Sequence, residues 1–280
     1  MQIADSIPEM KNVRKRLLEP VGFVPTMGYL HEGHLSLVRR ARAENKSVIV
    51  SIFVNPTQFG PNEDYSTYPR DTKRDLEMLE AEQTDVVFMP QASEMYPPDA
   101  CSWVDVEGIT GCLEGASRPG HFRGVTTIVA KLFNIAEPAR AYFGQKDAQQ
   151  ALVIRKMVKD LNMNVEIVIC PTMREHDGLA MSSRNVYLGP EERESALVLW
   201  ESLNAAKRAW ENGEKNAENI RQIVRSLIEK TPGSRIDYVS VADTETLAEL
   251  DLIERPVLIS LAVRIGKTRL IDNIVLGEPG

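Results

Sequence analysis

The residues best equipped for chemistry lie in Phe23-Val24-Pro25-Thr26-Met27-Gly28-Tyr29-Leu30-His31-Glu32-Gly33-His34. The apolar run 21–24 reads as a buried strand, and after the stretch Leu35, Leu37, Val38 and Ala41 recur at helical spacing. The two histidines therefore stand where a helix begins. A helix start offers unpaired backbone N–H groups and the positive end of the helix dipole, an arrangement that binds anions and above all phosphate. Gly28 and Gly33 let the backbone approach a ligand with no Cβ in the way. His31 and His34 add donors at the same place, and each can become cationic.

Two other stretches join small or hydroxyl residues to a cation: Gly144-Gln145-Lys146-Asp147, followed by Gln149 and Gln150, and Met181-Ser182-Ser183-Arg184-Asn185. That mix suits a polyphosphate, because N–H and hydroxyl groups meet the oxygens while His, Lys and Arg offset the charge. The chain contains neither G-x-x-x-x-G-K-[ST] nor G-x-G-x-x-G, which disfavours P-loop kinases and dinucleotide dehydrogenases.

The elements that must position these residues follow from the hydrophobic pattern. A short basic helix over 10–18 ends before Pro20. The strand 21–24 feeds the histidine turn, a helix spans 32–44, and the strand 47–54 is nearly all β-branched or aromatic, as in a parallel sheet covered on both faces. That strand runs into Asn55-Pro56-Thr57-Gln58-Phe59-Gly60, at the edge where open α/β sheets bind ligands. A helix over 71–82 carries Leu76 and Leu79 inward, and Asp75 on it reads as a solvated carboxylate. An apolar run 85–89, a short strand 103–106, a long loop 114–124, a helix 125–136, a strand 139–143, a helix 148–161 and a strand 165–169 complete the alternation. The pattern predicts an α/β fold, a Rossmann-like doubly wound parallel sheet. After residue 171 it changes to a long helix 191–212, a second helix 217–230 and strand-like runs 236–241, 257–263 and 268–274, a smaller C-terminal α+β domain. The boundary falls within 171–190, which divides the chain into 1–175, the Rossmann-like domain, and 176–280, the small α+β domain.

Composition narrows the function classes. With 33 Lys and Arg against 40 Asp and Glu the formal charge is −7, which argues against non-specific nucleic-acid binding. No apolar run approaches the ~20 residues of a membrane span, and residues 1–15 lack a signal-peptide core and carry Asp5 and Glu9. Cys101, Cys112 and Cys170 are scattered and lack zinc-ligand spacing, so they read as idle thiols in a reducing compartment, and the expectation is a cytoplasmic protein.

The order of the motifs, HxGH after the first strand of the sheet and a Ser-Ser-basic loop after the last, resembles the nucleotidylyl-transferase superfamily. A closer resemblance is carried by Phe23 to Gly28, His31 to His34, Phe53-Val54-Asn55-Pro56-Thr57-Gln58-Phe59, Tyr68-Pro69-Arg70, His121-Phe122-Arg123-Gly124-Val125, Phe143 to Asp147 and Asp177-Gly178-Leu179-Ala180-Met181-Ser182-Ser183-Arg184-Asn185. In order and over essentially the whole chain these are similar to the pantothenate synthetase (pantoate–β-alanine ligase) family. The resemblance implies an ATP-dependent ligase that joins pantoate to β-alanine through a pantoyl-adenylate, releases AMP and pyrophosphate, uses Mg²⁺ and forms a homodimer. It implies an ATP site of Met27, Gly28, Tyr29, Leu30, His31, Glu32, Gly33, His34, Gly144, Gln145, Lys146, Asp147, Met173, Met181, Ser182, Ser183 and Arg184. His34, assisted by His31, Lys146 and Arg184, would be catalytic. Asn55, Gln58 and Gln150 match positions for pantoate and β-alanine, and Arg118, His121 and Arg123 would assist the second substrate. No protein ligand to the metal is assigned. The alternative is another HxGH nucleotidylyl transferase acting on a phosphorylated acceptor. The acidic balance and the retention of both histidines count against an RNA-binding or catalytically dead relative.

Overall fold

Six short parallel strands carry the first part of the chain: β1 (Gln2–Ala4), β2 (Val21–Thr26), β3 (Ser47–Ile52), β4 (Val86–Phe88), β5 (Arg140–Gly144) and β6 (Glu166–Cys170). They lie in the order β1-β4-β3-β2-β5-β6. Alternation along each strand loads both faces. Phe23, Ile49, Phe88, Ala141 and Phe143 point to one core, with residues of α1 (Ile7–Arg14), α6 (His121–Ala136) and α7 (Ala148–Asp160). Val24, Val50, Val87 and Tyr142 point to the other, with Leu37, Val38 and Ala41 of α2 (Glu32–Glu44) and Leu79 of α3 (Thr72–Ala81). This is the doubly wound sheet that the apolar runs require. The chain winds outward from β2 to β3 and β4, then returns to place β5 on the other flank of β2. The switch point of the topology is therefore the crevice at the C-terminal ends of β2 and β5, where open α/β sheets receive ligands.

The computed structural model describes residues 1–61 and 63–277. The chain divides into two compact units, the first of 1–145 and 149–171, the second of 146–148 and the residues from 172 on. In the second, α8 (Pro190–Ser195), α9 (Val198–Glu211) and α10 (Ala217–Ile228) accompany an antiparallel sheet, β7 (Ser234–Asp243), β8 (Val257–Ile265) and β9 (Thr268–Leu276). Leu199 and Leu203 of α9 and Ile220 and Val224 of α10 share a core with Val241, Ile259, Leu261 and Leu270 of the sheet.

Four differences from the sequence reading have local causes. The run 103–106 is not a strand: Val104 is stapled to α6 by hydroxyls, its N–H donating to Thr127 Oγ1 (3.0 Å) and its carbonyl accepting from Thr126 Oγ1 (2.6 Å). The expected loop 114–124 holds a short helix, α5 (Leu113–Ser117), and α6 starts at His121, because His121 and Phe122 turn inward. The long helix 191–212 breaks at Ala196 and Leu197, where i→i+3 bonds tighten the chain; α8 buries none of its residues, and the apolar spacing begins only at Ala196. Finally, β1 is a strand of three residues, too short to show a period. Between β4 and α5 lies one further helical turn, α4 (Ala92–Met95). Among the described residues no helix is long and apolar enough to cross a membrane.

Candidate active site

The turn between β2 and α2 is closed by side chains. Thr26 Oγ1 accepts from Gly28 N (3.2 Å) while donating to the Ser51 carbonyl (2.8 Å). Gly28 and Tyr29 then take positive φ, 80° and 51°, and the Asp75 carboxylate accepts from Tyr29 N and Leu30 N, both at 2.7 Å. His31 caps α2: its Nδ1 accepts from Gly33 N (3.1 Å), and His34 Nδ1 accepts from His31 N (3.3 Å), a reciprocal capping box made of two imidazoles. The ring centroids are 4.1 Å apart.

Two consequences follow. The amides of Gly28, Tyr29, Leu30, His31 and Gly33 are bonded within the protein, so the expected anion grip by unpaired N–H groups of the helix start is not what this turn presents. What it presents is the rings. With both Nδ1 lone pairs accepting, the proton of each neutral ring is on Nε2. Glu32 turns away: Arg39 hydrogen-bonds its carboxylate and holds it below its ordinary range.

Asp75 corrects the sequence reading. It is 1 % exposed, not solvated, and burial pushes its carboxyl up while the two turn amides oppose that shift. It shares the inner face of α3 with Leu79. A charged residue at i, i+4 to a core leucine was the signal available in the sequence.

The loop after β3 forms a single 3₁₀ turn, Pro56–Gln58. Asn55, 1 % exposed, accepts at Oδ1 from Tyr96 OH and Thr57 Oγ1 (both 2.9 Å), and its Nδ2 donates to the Gly124 carbonyl and to Gln58 Oε1 (both 3.1 Å). Its amide thereby braces Gln58 against α6 and Tyr96. The Gln58 side chain is half-buried and donates to Met27 Sδ at 3.1 Å. Its carbonyl accepts from His121 Nδ1 at 2.8 Å, while Arg118, ion-paired to Glu63 at 2.6 Å, lies 3.1 Å from His121 Nε2. His121 is thus the opposite tautomer to the capping pair. Burial, followed by the Arg118 charge, pushes it down to about 4. Gly124 lets α6 press on this turn, because a Cβ there would stand 2.4 Å from the Thr57 carbonyl oxygen.

After β5, Gly144 faces open space, with nothing within 4 Å of where a Cβ would stand. Gln145, Lys146 and Asp147 form a 3₁₀ turn into α7. Lys146 Nζ lies 3.7 Å from Asp147, and its carbonyl accepts from Asn273 Nδ2 of β9 at 2.8 Å. Of the two glutamines that follow, Gln149 is buried as a brace, bonded to Glu114 N (2.9 Å) and to the Ile109 (2.8 Å) and Cys112 (2.9 Å) carbonyls. Gln150 stays half-buried.

In the second unit Met173 begins a hairpin that returns at Met181, whose N–H donates to the Met173 carbonyl (3.0 Å). Gly178 (φ 98°) turns it so tightly that a Cβ would lie 2.0 Å from Trp200. Arg174 stacks 3.7 Å over Trp200 and forks onto buried Asp272 at 2.6 and 2.9 Å. Beyond the hairpin Ser182 caps the 3₁₀ turn Ser183–Tyr187, its Oγ accepting from Arg184 N at 3.3 Å. Ser183 is buried; Met181, Ser182 and Arg184 are half-buried.

Comparison with known proteins adds to this geometry. A family model described as pantoate-beta-alanine ligase matches residues 2–275. A pantothenate synthetase of Roseiflexus sp. is 60% identical over 99% of each chain, and one of Thermotoga neapolitana is 57% identical over 99% of this chain and all of the relative. The crystal structure of pantothenate synthetase from Thermus thermophilus superposes with a TM-score of 0.95 at 47% identity, covering 99% of this chain and 100% of the other. That of the Francisella tularensis pantoate-beta-alanine ligase, complexed with beta-gamma ATP and beta-alanine, gives 0.81 at 39% identity, covering 98% and 97%.

Proposed function

The chain belongs to the pantoate–β-alanine ligase family, and from that premise we propose how its residues divide the work of making pantothenate from pantoate, β-alanine and ATP. The carboxylate of pantoate attacks the α-phosphorus of ATP in line, the α–β phosphoanhydride bond breaks, and pyrophosphate leaves. The amine of β-alanine then attacks the acyl carbon of the adenylate, and AMP leaves with the acyl C–O electron pair. A carboxylate is a poor acylating agent; with AMP as the leaving group it becomes a good one.

The first step brings two anions together, so its barrier is electrostatic. Pre-placed donors and charges are the largest catalytic contribution in such reactions, each worth ~2.7–4 kcal/mol, or about 10²–10³ in rate. The observation that carries this assignment is the imidazole capping box, which fixes both rings through Nδ1 at the start of α2. His34 donates to phosphate as charge builds on the bridging oxygen, with His31 beside it. Lys146 and Arg184 offset phosphate charge; Ser182, Ser183 and the backbone around Met173 and Met181 contribute further contacts to the nucleotide. Met27 to Gly33 and Gly144 to Asp147 line it, with Asp147 toward a ribose hydroxyl. Gln58, oriented by Asn55, and Gln150 bind pantoate and β-alanine, since an amide both donates and accepts. For the second step positioning dominates, a contribution that reaches ~7–11 kcal/mol for well-oriented groups.

Among the described residues no group of three or more His, Cys, Asp or Glu side chains stands ready to hold a metal. Magnesium would accompany the triphosphate and would supply charge there. The division into a substrate-binding domain, 1–175, and a lid, 176–280, a homodimeric assembly and a cytoplasmic location complete the proposal. Mass analysis of an incubation with ATP, pantoate and β-alanine tests the reaction: pantothenate and AMP form together, and ADP in place of AMP would overturn the adenylate route.

A further inference from the structure

We infer that Asp75 is a positioning residue for adenylation: its carboxylate grips the backbone of Tyr29 and Leu30 and so sets the position of the His31 and His34 rings. The inference rests on the reading of the two histidines given above. A carboxylate that is 1 % exposed is expensive to keep, and this one spends both oxygens on main chain, at 2.7 Å each. The chain it holds is unusual. Tyr29 is a non-glycine residue at φ 51°, next to Gly28 at φ 80°, and such backbone persists where its surroundings over-determine it. The grip comes from a rigid element, since Asp75 lies in the first turn of α3, anchored by fully buried Leu79, where the helix dipole favours its charge.

There is little slack in the contact. A Cβ on Gly28 would stand 3.1 Å from Asp75 Oδ2 and 3.0 Å from Ile52. Leu30, the second gripped residue, directly precedes His31, and His31 is locked to His34 through the capping box. A shift of the gripped pair is therefore passed to both rings. A carboxylate beside an anion site repels the anion, so Asp75 serves the reaction by fixing the donors and not by binding the nucleotide.

Asp75→Asn keeps the shape but turns an –NH₂ donor toward one of the two amides. The test measures pantoate-dependent ATP–pyrophosphate exchange and site-resolved amide hydrogen exchange, with His34→Ala as the reference. The expected result is a fall of about 100-fold in the exchange kcat, the size of a 1 Å misplacement, with the pantoate KM within about twofold. The Tyr29 and Leu30 amides should exchange faster while the β2–β3 ladder keeps its protection. Exchange activity within about threefold of wild type, in a preparation where His34→Ala has lost its own, overturns the inference; so does loss of the ladder's protection together with that of the turn, which would make Asp75 a residue of the fold alone. If His34→Ala retains activity, the reading of the histidines fails instead, and the amides still report whether Asp75 holds the turn. In the wild-type protein the amides of Tyr29 and Leu30 must be slow despite lying in a turn; free exchange there ends the proposal without any variant.

Discussion

The turns that follow β2 and β5 leave neighbouring strands at the same edge of one sheet, and both read strand, glycine, polar turn, helix. They are built in different ways. The first is closed within its own unit: Thr26, Asp75, His31 and His34 take up its amides. The second is open at Gly144, and from Lys146 to Ala148 it groups with the C-terminal unit, where Asn273 takes the Lys146 carbonyl. One local pattern is thus built once from side chains that take up its amides and once with a bond from Asn273 of β9.

Variants can separate the two. The largest effect is expected for Lys146→Ala, which removes a charge from the second turn and lowers the single-turnover rate of adenylate formation by about 10²–10³-fold. A loss below tenfold would leave the second turn with no electrostatic part to play. A smaller effect concerns the first unit alone. His121 sits at about 4 folded against 6.5 in the free side chain, so the unfolded chain takes up a proton first as pH falls. The stability contributed by neutral His121 is complete above pH 6.5 and is lost as pH falls toward 4; about 1.4 kcal/mol is gone by pH 5.5. Urea unfolding at pH 7.5 and 5.5 measures it, and His121→Gln should remove that share of the slope. A pH-independent difference between the two proteins would mean that His121 is not buried neutral against Gln58. The smallest effect is that of Asn273→Ala. Loss of its bond to the Lys146 carbonyl, worth about 1 kcal/mol, should lower adenylation about fivefold with the Tyr29 and Leu30 amides still protected. Equal loosening of both turns would erase the distinction between them.

How much of this the sequence discloses depends on range. The histidine turn was legible because its evidence is local: an apolar run, glycines, then leucines at helical spacing. The sheet was legible for the same reason, since strands covered on both faces need apolar runs. Contacts across long separations were not. Asp75 reaches amides 45 and 46 positions upstream, and only its place beside Leu79 hinted at burial. Asn55 was visible at a strand end, but not that Tyr96 and Gly124 would occupy it from two other segments. Asn273 meets Lys146 across 127 positions, which no periodicity reports. The segment 103–106 has strand-like composition, yet threonine hydroxyls on α6 supply the bonds a neighbouring strand would have made.

The most direct measurement is pantoate-dependent ATP–pyrophosphate exchange by His34→Ala beside the wild-type protein. The account predicts a fall of about 10²–10³-fold in a variant whose thermal unfolding stays close to that of the parent. Exchange near the wild-type rate would contradict it, by showing that the imidazole pair capping α2 takes no part in activating the nucleotide.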